Sequence, residues 1–111
     1  MPRDRLLLGE MIEAAGRIVA LVGRLDPERP AADRDLLDAL LWNFTVLGEG
    51  SGQVSAELKA DHPEVAWADP VRLRNRIVHG YWSVDLDVLV STARDDVPRL
   101  VAELRVIEGE I

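Results

Sequence analysis

The stretch Asp69-Pro70-Val71-Arg72-Leu73-Arg74-Asn75-Arg76-Ile77-Val78-His79-Gly80-Tyr81 decides how this chain reads. It opens with a helix start, since aspartate is a favoured N-cap and proline is preferred at the first helical position. Leu73 and Ile77 are four residues apart and predict a helix with one face toward a core. Gly80 is a natural C-terminal stop. The polar residues on this short helix are concentrated. Arg72, Arg74 and Arg76 crowd together in a chain with only 13 basic residues and a net charge of −7. His79 is one of 2 histidines, and Tyr81 is the single tyrosine. A fixed cation, a group that moves protons near neutral pH and a phenol thus share one short segment, a combination suited to phosphate-ester chemistry.

Outward from this stretch the period stays helical. Leu8, Met11, Ile12, Ala15, Ile18, Val19, Val22 and Leu25 recur at spacings of three and four and predict a first helix over about residues 4 to 25. Asp26-Pro27 and Pro30 end it. Gly9, Gly16 and Gly23 share a face of that helix, where either close approach by another helix or tolerated surface glycine accounts for them. A second helix is predicted over about 32 to 58, with Asp33 and Asp35 suited to its positive end. Leu37, Leu40, Leu41, Phe44, Leu47, Val54 and Leu58 make its stripe, which Ser51 interrupts. Gly48, Gly50 and Gly52 weaken its middle. Asn43, Glu49 and Gln53 read as exposed polar residues rather than cleft residues.

Residues 59 to 69 read as a connection, with His62 a loop histidine and Trp67 a core or interface anchor. The last segment starts at Asp85, and Leu86, Leu89, Val90, Ala93, Val97, Leu100, Val101, Leu104 and Ile107 keep the helical period. Pro98 lies inside this run and predicts a kink or break near 94 to 97, because it removes a backbone donor and clashes with the preceding turn. Short connections favour antiparallel neighbours. The expected fold is an all-α, antiparallel four-helix bundle, one domain over 1–111, with its last helix kinked at Pro98.

At 111 residues a single core is feasible, and 48% hydrophobic with 30% charged residues is ordinary for a globular chain. No apolar run reaches the ~18 residues of a membrane span, and the leucines after Arg5 are too few for a signal-peptide core. There is no cysteine, which excludes disulfides and thiolate metal sites and is compatible with a reducing, cytoplasmic location. No HExxH or paired histidines at ligand spacing occur, so neither a metal nor another cofactor is expected. The balance of 20 acidic against 13 basic residues argues against a general nucleic-acid coat protein, and leaves room for an enzyme with one local basic patch.

Arg74-x4-His79-x-Tyr81 resembles the signature of the HEPN superfamily, specifically the HepT-like ribonuclease toxins. Val46-Leu47-Gly48-Glu49, His62-Pro63-Glu64, Trp67 and Asp96-Val97-Pro98 also stand where that family has similar residues, so the resemblance spans nearly the whole chain. The run of glycines near Gly48 is a departure from it. The resemblance implies a homodimer whose site lies between protomers, and the toxin half of a type VII-like toxin–antitoxin pair. The activity it implies is metal-independent RNA cleavage, neutralised by a minimal nucleotidyltransferase antitoxin that attaches AMP to the motif tyrosine, here Tyr81. RNA brings its own nucleophile, the 2′-OH. His79 is then expected as general base or acid, either step remaining open, and Arg74 as the phosphate holder. Asn75, on the same face as His79, is expected to orient it. Arg72 and Arg76 are expected to contact RNA, and Trp82 to lie in the core or an interface.

Five positions on a helix turn about 500°, which leaves Arg74 and His79 about 140° apart. Three arrangements reconcile that angle with a shared site: an unwound helix end near Gly80, a long arginine reaching round, or two copies of the motif meeting across a twofold axis. The competing function is a non-catalytic helical partner of a nucleotidyltransferase. A pure scaffold has no need of Arg74, His79 and Tyr81 together.

Overall fold

The computed structural model describes residues 2–111, and among these residues every regular element is helical. The elements are α1 (Pro2–Val22), α2 (Arg34–Gln53), α3 (Ala56–Asp61), α4 (Ala68–Gly80), α5 (Leu86–Ser91) and α6 (Val97–Glu110). A 3-10 turn, Tyr81–Ser83, follows α4, and a π-helical turn, Thr92–Asp96, joins α5 to α6. No described helix is long and apolar enough to cross a membrane. α1 packs on both α2 and α6, and α2 packs on α4 as well. The core runs through these contacts, with Leu8, Met11, Ile18, Leu40, Leu47, Leu104 and Ile107 almost fully buried.

The helices begin where local chemistry satisfies their free N–H groups. Asp33 caps α2 by accepting from the Leu36 N–H at 3.1 Å. Asp85 accepts from Asp87 and Val88 at the start of α5. The expected single helix over 32 to 58 is instead two. α2 stops at Gln53, and Ser55 starts α3, its hydroxyl accepting from the Leu58 N–H at 3.1 Å. Asp69 does not cap α4: the helix begins one residue earlier, at Ala68, and Asp69 pairs with Arg72. The kink expected near 94 to 97 takes the form of the π-helical turn. The Val97 N–H reaches back to the Thr92 carbonyl, the wider spacing that absorbs the missing donor of Pro98.

Two glycines of α2 set how closely the bundle closes. A Cβ on Gly48 would lie 2.5 Å from the Pro70 carbonyl oxygen and overlap the Arg74 side chain, and one on Gly50 would lie 2.6 Å from Met11 Cγ. Bare backbone there lets α4 and α1 approach α2 from two sides. Gly16, by contrast, has nothing within 4 Å of its Cβ direction, so tolerated glycine is the reading that holds on α1.

Asp4, in the first turn of α1, is buried. It accepts from the Ser55 N–H at 2.8 Å and the Ser55 hydroxyl at 2.6 Å, tying α1 to the α2–α3 break. Burial alone would raise its pKa, but the two Ser55 hydrogen bonds, with nearby positive charge, outweigh it and hold the carboxyl below its ordinary value of 3.8. A carboxylate with a depressed folded-state pKa adds stability that is fully present above the ordinary value and disappears as pH falls below it. Asp4→Ala is therefore expected to cost about 1–3 kcal/mol near pH 7. In urea titrations its deficit against wild type shrinks once the pH drops under 3.8. A deficit that stayed constant to pH 2 would contradict the ionised-carboxylate account.

Candidate active site

The placement of α4 precedes any chemistry on it. Ser51 is fully buried where the α2 stripe looked interrupted, and its hydroxyl donates to the Trp67 carbonyl at 2.5 Å. Trp67 is in the core, and its indole N–H donates to the His62 carbonyl at 2.9 Å. These bonds, with the bare backbone of Gly48, pin the start of α4 against α2. His62 itself caps the end of α3, with its ring between Glu64 (3.4 Å) and Glu110 (4.0 Å).

Around α4 the motif residues point three ways. Arg74 faces α2. Its stem lies over Gly48, its Nε stands 3.1 Å from the Glu49 carboxylate, and its Nη1 donates to Asn75 Oδ1 at 2.8 Å. His79 and Asn75 are exposed on the far side, and among the described residues no hydrogen bond joins them. Arg72 and Arg76 line an open cleft of ≈ 780 Å³ between α4 and the α5–α6 segment, floored by Phe44, Leu47, Leu73 and Leu89. α4 stays helical through Gly80, so an unwound end does not bring Arg74 and His79 together. The Asn75 oxygen serves Arg74 instead of His79.

Tyr81 opens the 3-10 turn and is half exposed, packed edge-to-face on Trp82 with ring centroids 5.4 Å apart. Trp82 is 79% exposed and does not belong to this chain's core. Tyr81 shares a shallow groove with Arg34, Leu41, Trp42, Thr45 and Ile77. The Asp38 carboxylate, 2.9 Å from Arg34 Nε, and then the Tyr81 phenol hold the Arg34 guanidinium above its ordinary pKa. Sequence reasoning missed Arg34 as a neighbour of Tyr81, because 46 intervening positions carry no local signal of that contact. Glu49 is exposed, as expected, and its carboxylate also stands beside Arg74. Asn43, likewise expected outside, is buried and donates to the Ala39 carbonyl at 2.8 Å. Gln53 is exposed and accepts from Arg3 at 2.7 Å.

Trp42, which lines the Tyr81 groove, is 65% exposed, and Val78 on α4 is 50% exposed. Large apolar side chains left in solvent on one region are a common feature of surfaces that take a partner. Among the described residues, no three histidine or acidic side chains gather as a metal site.

Comparison with known proteins places this helical chain. The family described as "Ribonuclease HepT-like" matches residues 11–107, and the chain belongs to that HEPN-superfamily family. A "Probable ribonuclease HepT" of Thermococcus cleftensis is 32% identical over 68 residues, which span 61% of this chain and 62% of that protein. "Putative RNase MJ1380" of Methanocaldococcus jannaschii is 22% identical over 103 residues, 93% of this chain and 94% of that protein. "Putative RNase TTE0752" of Caldanaerobacter subterraneus is 21% identical over 107 residues, 96% of each. No solved structure matches the chain.

Proposed function

We propose that this chain is the ribonuclease toxin of a cytoplasmic toxin–antitoxin pair, cleaving RNA without a metal from a site shared by two copies. Family membership supports RNA as the substrate. The observation that carries the shared site is the divergence of Arg74 and His79 on a regular helix, in a chain that leaves Trp42, Val78, Tyr81 and Trp82 exposed. A twofold axis near α4 sets His79 of one copy beside Arg74 of the other and covers exposed apolar side chains, each protomer being one antiparallel helical domain. The reaction then proceeds by attack of the 2′-oxygen on phosphorus as its proton leaves. The 5′-oxygen departs with a proton and the product is a 2′,3′-cyclic phosphate. His79 serves one of the two proton transfers, and Arg74 stabilises charge on the phosphoryl oxygens.

Regulation is proposed at Tyr81, as the acceptor of AMP from ATP in the active site of a minimal nucleotidyltransferase antitoxin. Tyr81 is half exposed and lines the groove that holds Arg34. An added phosphodiester finds that guanidinium nearer than Arg72 or Arg76, which line the other cleft. Intact mass spectrometry after incubation with antitoxin, ATP and Mg²⁺ is expected to show an AMP-sized gain on the Tyr81 peptide. Tyr81→Phe shows none, and RNase activity falls in step with the gain. If the antitoxin silences Tyr81→Phe equally well, covalent control is wrong and steric blockade takes its place.

A further inference from the structure

We infer that Glu49 is a positioning residue that aims the Arg74 guanidinium at the scissile phosphate, an inference that rests on the ribonuclease reading above. Arg74 is held on three sides. Its stem crosses the bare backbone of Gly48, where a Cβ would collide with it. Its Nη1 is taken by Asn75 Oδ1 at 2.8 Å. Its Nε is enclosed and has no hydrogen-bond partner, although the Glu49 carboxylate stands 3.1 Å away. The N–H is misaligned with that oxygen, and a small rotation of either side chain completes the bond. A buried donor left unmade is costly, so the carboxylate draws the guanidinium into one orientation. Among the described residues no hydrogen bond or ion pair uses Nη2. Nη2 is therefore the guanidinium nitrogen free for a phosphate oxygen.

The charge argument separates aiming from simple attraction. Glu49 is half exposed and negative, so by itself it repels RNA. Removing its charge leaves ground-state binding unchanged or tighter, while the guanidinium loses its fixed direction. Misplacement of a transition-state contact by about 1 Å costs roughly 100-fold in rate. The expected signature is a fall in kcat with KM constant or lower and an unchanged thermal melt, the melt separating it from a loss of folded, active protein.

The test compares wild type, Glu49→Gln, Glu49→Asp, Arg74→Ala, Arg74→Lys and the Glu49→Gln/Arg74→Lys double variant on one single-stranded RNA, with thermal melts as the fold control. Glu49→Gln is expected to lose about 10- to 100-fold in kcat without a rise in KM, and Glu49→Asp to recover part of it. Lysine has no Nε, so in the Arg74→Lys background Glu49→Gln is expected to cost little more. Wild-type kcat and KM in Glu49→Gln, alongside a dead Arg74→Ala, would overturn the positioning role and leave the ribonuclease reading intact. An equal kcat loss in both backgrounds, with a lowered melting temperature, would also overturn it, in favour of a structural ion pair. A wild-type protein that does not cleave RNA, or an Arg74→Ala variant that still does, removes the ribonuclease reading and this inference with it.

Discussion

His79→Ala and Arg74→Ala are each expected to lower RNA cleavage by at least ~100-fold, the scale of a lost proton-transfer or charge-stabilising group. His79 is exposed and makes no hydrogen bond among the described residues, so its truncation leaves the melting temperature near wild type. Arg74 loses only a stem laid over Gly48 and a half-exposed ion pair, so most of the fold survives there too. Mixing distinguishes a shared site from a site within one protomer. An unfolded and refolded equimolar mixture of the two inactive variants forms heterodimers in which one intact Arg74 faces one intact His79. About a quarter of wild-type activity returns if exchange is random. A mixture as inactive as its parts would place both residues in a single protomer's site. A chelator is expected to leave the wild-type rate unchanged, and its abolition by EDTA would remove the metal-independent route.

Gly48 carries the largest expected effect on stability. Gly48→Val places carbon atoms inside the Pro70 carbonyl and the Arg74 stem, in a contact walled by backbone that has little room to move. Overpacking of this kind costs about 1–3 kcal/mol or more, and about 1 kcal/mol shifts the melting temperature of a domain this size by ~4 °C. Cleavage falls further than stability alone accounts for, because the stem displaced is that of Arg74. Gly16→Ala is the internal control. The site has open space on a helix interior, so the substitution is expected to stabilise by up to ~1 kcal/mol through helix propensity. If both substitutions destabilised alike, close approach at Gly48 would not be the reason for glycine there.

These two glycines show where reading the chain reaches its limit. Gly16 and Gly48 look alike in one dimension, each an expense inside a helical stripe. Only the approach of α4 turns Gly48 into a requirement. The same holds for Ser51, which broke an apolar period and turns out to be a buried donor to Trp67. It holds also for Asp4, an unremarkable N-terminal charge until Ser55 closes on it from 51 residues away. Local chemistry was legible in the chain itself. The three-and-four spacing of apolar residues marked the long helices, Asp33 and Asp85 marked helix starts, and Pro98 marked the break that became the π-helical turn. Each of these depends on neighbours within about one helical turn, and their spacing is written in the sequence. The motif around Arg74, His79 and Tyr81 was legible for the same reason, down to the angle that separates its arginine from its histidine. Which groups stand opposite them was decided by packing. Glu49 beside Arg74, Arg34 beside Tyr81, and Trp82 facing solvent are consequences of how α2 and α4 meet, and pairings between distant segments leave no periodic trace in a single chain.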